Sequence, residues 1–415
     1  MKFDNIIIGG GLSGLTCGIA LAKAGKQVAI VAAGQSTLHF SSGSLGLLGF
    51  DNEGHVVTNP LEAVASLPAA HPYKKIGVDA IPSLADQAIT LLKEEAGIAL
   101  QGDISKNHFR LTPIGQLKPT WLTLEGMAVS DSCDILPYTN ILLVNIEGYM
   151  DFPVHFIKEN IKSKGAIVKE ATLNIAALSE RRSSPSEMRS SNLAKILQNE
   201  GLLNELVTCL NELAREADVI WMPAILGLTD ASVFATLKEK VTKPLYMVAT
   251  MPPSVPGIRI QNLLKARFVS LGGTFLLGHK VTEGQFKGNQ LISVNSSALP
   301  EEPLEASEFI LATGSFQSNG LASNYEKVYE PLFDLDVDAS AQRTDWVKED
   351  VYEAQPYMEY GVSTTEKFQV LKQGSPISNL YAVGSILSGH NFVKLADGEG
   401  VDIFSALTVA QNILK

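Results

Sequence analysis

An α/β fold is predicted, with a largely parallel sheet built from both ends of the chain and an α+β segment inserted between them. Three observations predict it. The first 32 residues read strand, glycine turn, helix, strand. Near the other end, "EFILATGSF" (Glu308–Phe316) and "NLYAVGS" (Asn379–Ser385) are apolar strands that each run into a glycine. Between them the pattern changes to helices mixed with isolated strand-like runs, which divides the chain into 1–67, 68–250 and 251–415.

Each element has a local reason. Phe3–Ile8 is a β-branched run, suited to a strand covered on both faces. Leu12, Leu15, Ile19 and Ala22 recur at helical spacing, and Gly25 suits the left-handed residue that closes such a helix. Gln27–Ala32 follows as a second strand, so the unit is βαβ and its strands are parallel. In the inserted segment, Pro82–Glu95 and Asn199–Glu216 read as helices and Ile141–Glu147 as a strand. Ser179–Asn192 is polar, Ser-rich and without apolar period, which predicts a mobile surface loop. After Pro256 a helix, "IRIQNLLKARFVSL", leads through Gly272-Gly273 into a strand at Thr274–Leu277, and Lys287-Gly288-Asn289 marks a hairpin turn. Asp397 is placed to cap a last helix from about Gly398 to Ile413, with Val401, Phe404, Leu407 and Leu414 as its core stripe.

Composition narrows the function. At 415 residues the chain has ample core for more than one domain, and its net charge of −11 leaves no basic excess for nucleic acid or an anionic membrane surface. Cys17, Cys133 and Cys209 are too dispersed for a disulfide framework or a local metal or iron–sulfur site. The seven histidines show no metal-ligand spacing, so no metal is expected, and no GxSxG motif supports a hydrolase. The amino terminus lacks the pattern of a secretory signal, and no apolar run is long enough to span a bilayer. Work at a membrane would require a partner to carry the chain there.

The chemistry concentrates in "IIIGGGLSGL", where Gly9-x-Gly11-x-x-Gly14 follows a strand and opens a helix, the context of a Rossmann-like nucleotide site. Gly9 permits the tight turn, Gly11 lets main-chain amides approach a phosphate, and Gly14 with Gly18 lets the helix lie close on the sheet. Gly10 and Ser13 complete the phosphate-facing stretch. The acid that normally follows the second strand and holds the adenosine ribose is missing: the window reads Val31, Ala32, Ala33, Gly34. A mononucleotide needs only the phosphate cradle. A dinucleotide held instead through Gln35 or Ser36, and a glycine turn with no ligand, stay open at this point. Thr313 and Gly314, then Gly384 and Ser385, end the later strands at the same edge. Gly398 and Gly400 lie in the first turn of the last helix, where a planar ring can approach the backbone, although Glu399 would oppose an anionic flavin there.

These stretches together resemble the discontinuous flavin-binding domain of the glutathione-reductase-like and succinate-dehydrogenase-like flavoproteins. Within that group, "GQSTLHFSSGSLGLL", "AHPY", "RLTPIGQLKPTWL", "GYMDF", "WMPAILGL", "MPPSVPGIRIQNLLKARFVSLGG" and "LYAVGSILSG" are similar to the B subunits of anaerobic glycerol-3-phosphate dehydrogenase. The resemblance implies an FMN-containing protein, with FAD as the alternative, beside two partners, an FAD-containing catalytic subunit and an iron–sulfur membrane-anchor subunit. That assembly oxidises sn-glycerol 3-phosphate to dihydroxyacetone phosphate and passes electrons to quinone, upstream of fumarate or nitrate respiration, at the cytoplasmic face of the cell membrane. Gly384-Ser385 departs from the Gly-Asp that such proteins often carry for the ribityl chain. Rival readings are a self-sufficient FAD oxidoreductase on another small alcohol or carbonyl, and a structural protein of the complex without cofactor.

In "HFSSGSL", His39, Ser41, Ser42 and Ser44 follow the second strand, either as flavin or substrate contacts or as turn chemistry. Arg259 and Arg267 share a helix face and are candidates for a phosphate or for a solvated surface, whereas Trp121 reads as a packing residue.

Overall fold

The strand Lys2–Ile8 buries its last four residues, as expected where isoleucines face cover on both sides. In the computed structural model, which describes residues 1–178, 184 and 186–415, this strand is central. The chain leaves it at Gly9, runs through helix Leu12–Lys23 and turns at Gly25, whose φ of 83° only glycine adopts freely. It returns as Val28–Ala32, parallel to the first strand from Asn5↔Val28 to Ile8↔Val31.

Thr274–Leu277 adds to the outside of Val28–Ala32, and Leu299–Leu311 adds to the other side of Lys2–Ile8, all in parallel. The 13-residue strand Leu299–Leu311 has two partners on its far side. Its first part pairs antiparallel with Gln290–Ser296, and its last three residues pair parallel with Ser375–Ala382. The hairpin Val281–Lys287 to Gln290–Ser296 turns where Lys287-Gly288-Asn289 predicts it. Both chain ends therefore build one α/β sheet of the Rossmann-like kind. Gly18 explains how the first helix lies so close to it: a Cβ there would come within 2.9 Å of Ile30 and 3.0 Å of Phe268.

By its contacts the chain forms two compact units, 1–37 with 45–98 and 263–415, and 38–44 with 99–262. Residues 68–98, which the sequence reading groups with the inserted segment, thus cluster with the sheet just described, and 251–262 with the second unit. Helix Ile81–Ile89, continued as a wider turn over Thr90–Glu95, belongs to the first unit. The second unit mixes sheet types. Ile167–Leu173, Asn140–Ile146, Val219–Pro223 and Leu245–Val248 form a parallel sheet in that order, and His108–Leu111 pairs antiparallel with Leu117–Thr120 and Val129–Ser130. Asn199 caps helix Glu200–Leu213 by accepting the amides of Gly201 and Leu202, and Trp121 is fully buried.

The loop expected over Ser179–Asn192 needs correction. Residues 179–183 and 185 lie outside those described, but Met188 and Ser190 are buried and helix Ser190–Ile196 has already begun. Ser190 Oγ lies 2.6 Å from the Tyr149 hydroxyl, so a serine that reads as solvated is instead a buried hydrogen-bonding partner. Among the described residues no helix is long and apolar enough to cross a membrane.

Candidate functional site

Steric demands explain the glycine turn almost position by position. Gly9 has φ 123°, and a side chain there would run into the Ala312 carbonyl. At Gly14 a Cβ would run into the Gly9 carbonyl oxygen, so this glycine lets the helix start directly against the turn. Gly10 meets the tip of the Phe275 ring, 2.7 Å from where its Cβ would be, and Ala32 at 3.0 Å. Gly11 is different, since a Cβ there would meet only Ser36 Cβ, at 3.8 Å. It is open on the side a ligand would occupy. Gly11 caps helix Leu12–Lys23 without a side-chain hydrogen bond, and no acid stands in the first turn. The amides and positive dipole end of that helix start thus carry neither a side-chain cap nor an acid in the first turn, the arrangement that suits a phosphate.

Two further turns close on this crook. Thr313 follows Ala312, and its Oγ1 is buried with no hydrogen-bond partner among the described residues, while Gly314 adopts φ 76°. At Gly384, φ 78°, an added Cβ would strike Ser13 and Asp402. The turn is pinned to the last helix, Gly398–Leu414, by two amides: Gly384 N–H donates to Ser405 Oγ at 2.9 Å and Ser385 N–H to Asp402 Oδ1 at 3.1 Å. Gly9, Gly10, Gly11, Ser13, Gly14, Thr313, Gly314, Gly384 and Ser385 all fall in the first unit. Asp402 and Ser405 escape sequence reading, because a single acid and serine on an apolar helix carry no motif.

The start of the last helix differs from expectation. Asp397 occupies the capping position but makes no capping bond with its side chain. Its carboxylate accepts from His71 Nε2 at 2.8 Å and approaches His390 Nδ1 at 3.5 Å, all three groups being buried. The His71 ring accepts the Tyr73 amide at Nδ1, which leaves Nε2 as the protonated nitrogen that donates to Asp397. Burial holds the His71 pKa below the ordinary value despite Asp397. For His390 burial acts in the same direction, but the charge and hydrogen bond of Asp397 outweigh it and raise the pKa. Burial works against the Asp397 carboxylate too, yet the two histidines bring it well below the usual range. Gly400 is buried, with its open side taken by the Tyr73 hydroxyl, Leu47 and Gly46, and its amide donates to Gly46 O at 2.8 Å. Close packing of the protein's own chain accounts for this glycine. Gly398 lies nearest Phe392, and Glu399 accepts the Gly46 amide at 3.1 Å.

Ser41 and Ser42 belong to the second unit, where Ser41 Oγ accepts the Gly43 amide at 3.2 Å and Ser42 Oγ donates to Ser44 Oγ at 3.3 Å. Those bonds are turn chemistry. Arg259 is buried and donates to Gly227 O at 3.1 Å, and Arg267 pairs with Glu95 at 3.3 Å, so both are engaged within the protein rather than solvated.

Comparison with known proteins bears on what the crook holds. Residues 4–401 match the family described as FAD binding domain. Over 418 residues the chain is 40% identical to the B subunit of anaerobic glycerol-3-phosphate dehydrogenase from Yersinia enterocolitica, covering 100% of this chain and 99% of that one. The B subunit from Pectobacterium carotovorum is also 40% identical over 418 residues (100% and 99% covered), and that from Haemophilus ducreyi 36% over 423 (99% and 99%). The chain belongs to the family of anaerobic glycerol-3-phosphate dehydrogenase B subunits. As a member of that family it is an oxidoreductase flavoprotein, and its crook suits the cofactor. An open glycine at the start of an uncapped helix would suit a flavin phosphate, and the unpartnered Thr313 hydroxyl would be available as a donor there.

Proposed function

We propose that this chain is the FMN-binding member of a complex that oxidises sn-glycerol 3-phosphate to dihydroxyacetone phosphate. In this reading it works beside an FAD-containing catalytic subunit and an iron–sulfur membrane-anchor subunit. Electrons pass to quinone at the cytoplasmic face of the cell membrane, feeding fumarate or nitrate respiration. The full-length similarity to relatives named as B subunits of the anaerobic enzyme is the observation that carries it.

The main-chain amides at Gly11, Ser13 and Gly14 hold the flavin phosphate, Thr313 donates its hydroxyl beside them, and the Gly314 and Gly384–Ser385 turns wall the site. When bound, the flavin supplies the two-electron acceptor for converting a secondary alcohol to a ketone. FMN rather than FAD is favoured by two features. Ala33 and Gly34 are exposed and bring no acid to an adenosine ribose, and loss of one charge-assisted hydrogen bond forfeits about 1.5–3 kcal/mol, or roughly one to two decades of affinity. In addition, the Phe275 ring lies against Gly10 on the Ala32 side of the crook.

Isolation of the native complex, release of its cofactors by denaturation and turnover on glycerol 3-phosphate test the reading. One FMN per copy of this chain, with activity only in the complex, is expected. Stoichiometric FAD in this chain, or no flavin at all, would overturn it, and turnover by the isolated chain would show that it oxidises substrate unaided.

A further inference from the structure

The flavin reading leaves one charged group near the crook without an assignment. Asp402 projects from the last helix to the back of the Gly384–Ser385 turn, where its Oδ1 takes the Ser385 amide at 3.1 Å. An added Cβ at Gly384 would strike both Asp402 and Ser13, and Ser13 is the second residue of the helix whose amides face the phosphate. The carboxylate therefore stands one short step from the crook. Its second oxygen, Oδ2, has no hydrogen-bond partner among the described residues, and the largely enclosed residue keeps a partial opening to its surroundings.

Docking of the turn does not by itself call for an acid. Ser405, one helical turn further on, accepts the Gly384 amide with an uncharged hydroxyl. A carboxylate in this place is costly, since burial first, and then the charges of Glu399 and Asp397, push the Asp402 pKa up to about 7 against the opposing pull of His390 and the Ser385 amide. His390 offsets this only in part, and no lysine or arginine ion pair reaches Asp402 among the described residues. The first turn of helix Leu12–Lys23 carries no charged side chain, and on helix Pro72–Ile76 the Tyr73 hydroxyl is tied to Leu47 O while Lys74 and Lys75 reach Ala65 O and Thr364. What such a group lacks is a hydroxyl donor. A flavin bound by its phosphate at the helix start carries, next to that phosphate, a polyol chain whose hydroxyls are donors. The phosphate itself would be repelled by the carboxylate and has the amides.

Resting on the flavin reading above, we propose that Asp402 binds the ribityl chain of the cofactor, its free oxygen accepting a ribityl hydroxyl while the other oxygen holds the Ser385 turn. Because the ionised form is the acceptor, affinity is retained above neutrality and falls as the carboxylate is protonated. Riboflavin shares the ribityl contact and lacks the phosphate, so it isolates this effect from titration of the FMN phosphate.

The test is quenching of flavin fluorescence by the full-length apo chain, titrated with FMN and with riboflavin from pH 5.5 to 8.5. For the unmodified chain, both affinities fall on acidification below pH ~7, approaching tenfold per pH unit once the group is largely protonated. Asp402→Ala weakens both ligands about 10- to 100-fold at pH 8 and removes that dependence for riboflavin. Asp402→Asn keeps an acceptor for the Ser385 amide and so preserves the turn; it binds riboflavin more weakly and without the acid limb. Wild-type affinity and pH profile in Asp402→Asn would overturn the proposal while leaving the flavin reading intact. Failure of the unmodified chain to bind any flavin would overturn both.

Discussion

Replacing Gly14 and Gly11 singly by alanine separates the two jobs of the crook. At Gly14 the new methyl would sit under 3.0 Å from the Gly9 carbonyl oxygen and 3.1 Å from its carbon, both backbone atoms that no rotamer change can move aside. Overpacking of this kind costs about 1–3 kcal/mol, and the absence of any flexible neighbour puts Gly14→Ala near the top of that range. Alanine recovers about 1 kcal/mol through helix propensity, so the net loss is about 2 kcal/mol. At Gly11 the methyl meets only Ser36 Cβ at 3.8 Å, and φ −82°, ψ −167° suits any residue. Gly11→Ala gains about 0.4–1 kcal/mol through the unfolded chain and loses a similar amount because alanine caps a helix less well than glycine, so stability changes little. In the liganded protein, however, that methyl occupies the space of the phosphate and separates it from the amides, which weakens FMN about 10- to 100-fold. Urea denaturation followed by circular dichroism reads the first quantity and fluorescence titration with FMN the second. The reasoning fails if Gly11→Ala binds FMN with undiminished affinity, or if Gly14→Ala unfolds at the same urea concentration as the unmodified chain.

Asp397→Asn strips the buried histidines of their carboxylate and costs about 3–5 kcal/mol in denaturation. The pH dependence has two limbs. Asp397 has a lowered folded pKa, so its contribution is present above the unfolded value near ~4 and lost as pH falls further, whereas His390 has a raised pKa, so its contribution is present below ~6.5 and lost as pH rises through the folded value. His71, whose folded pKa is lowered, adds a loss as pH falls below ~6.5, so the acid decline of the unmodified chain begins there, and Asp397→Asn should remove the alkaline limb carried by His390 while an acid limb remains. Asn379→Ala removes bonds to Leu291 N, Leu291 O and Ser307 O, and should lower the denaturation free energy by about 2–4 kcal/mol. Cys17 is buried and its thiol is pushed up to about 12 by burial, so iodoacetamide at pH 8 should modify Cys133 and Cys209 in the native chain and leave Cys17 intact in a peptide map.

Elements with their own short-range signals were legible in the chain: the isoleucine run, the glycines of the turn and the hairpin at Gly288. Spatial pairings were not. His71 and Asp397 lie 326 positions apart and Ser385 and Asp402 17, and neither pair repeats or falls in a motif. Asp397 reads as a cap because aspartate at a helix start usually takes the free amides, but two buried histidines compete more strongly for its carboxylate. Gly400 reads as an opening for a ring, because sequence does not reveal that Tyr73 and Leu47 fill the same space. The unit boundary near residue 262 lies inside helix Val255–Ser270, where an unbroken helical period hides it.

The pairing of Lys2–Ile8 with Leu299–Leu311 has a cost during synthesis on the ribosome. Asn5 must wait for Glu308, about 300 residues later, and at roughly 5–20 residues per second that is ~15–60 s in which one edge of the isoleucine strand stays uncovered. The strand can pair with Val28–Ala32 early, but its other edge gains its partner only when the carboxy-terminal third has been made, and until then that edge is open to mispairing.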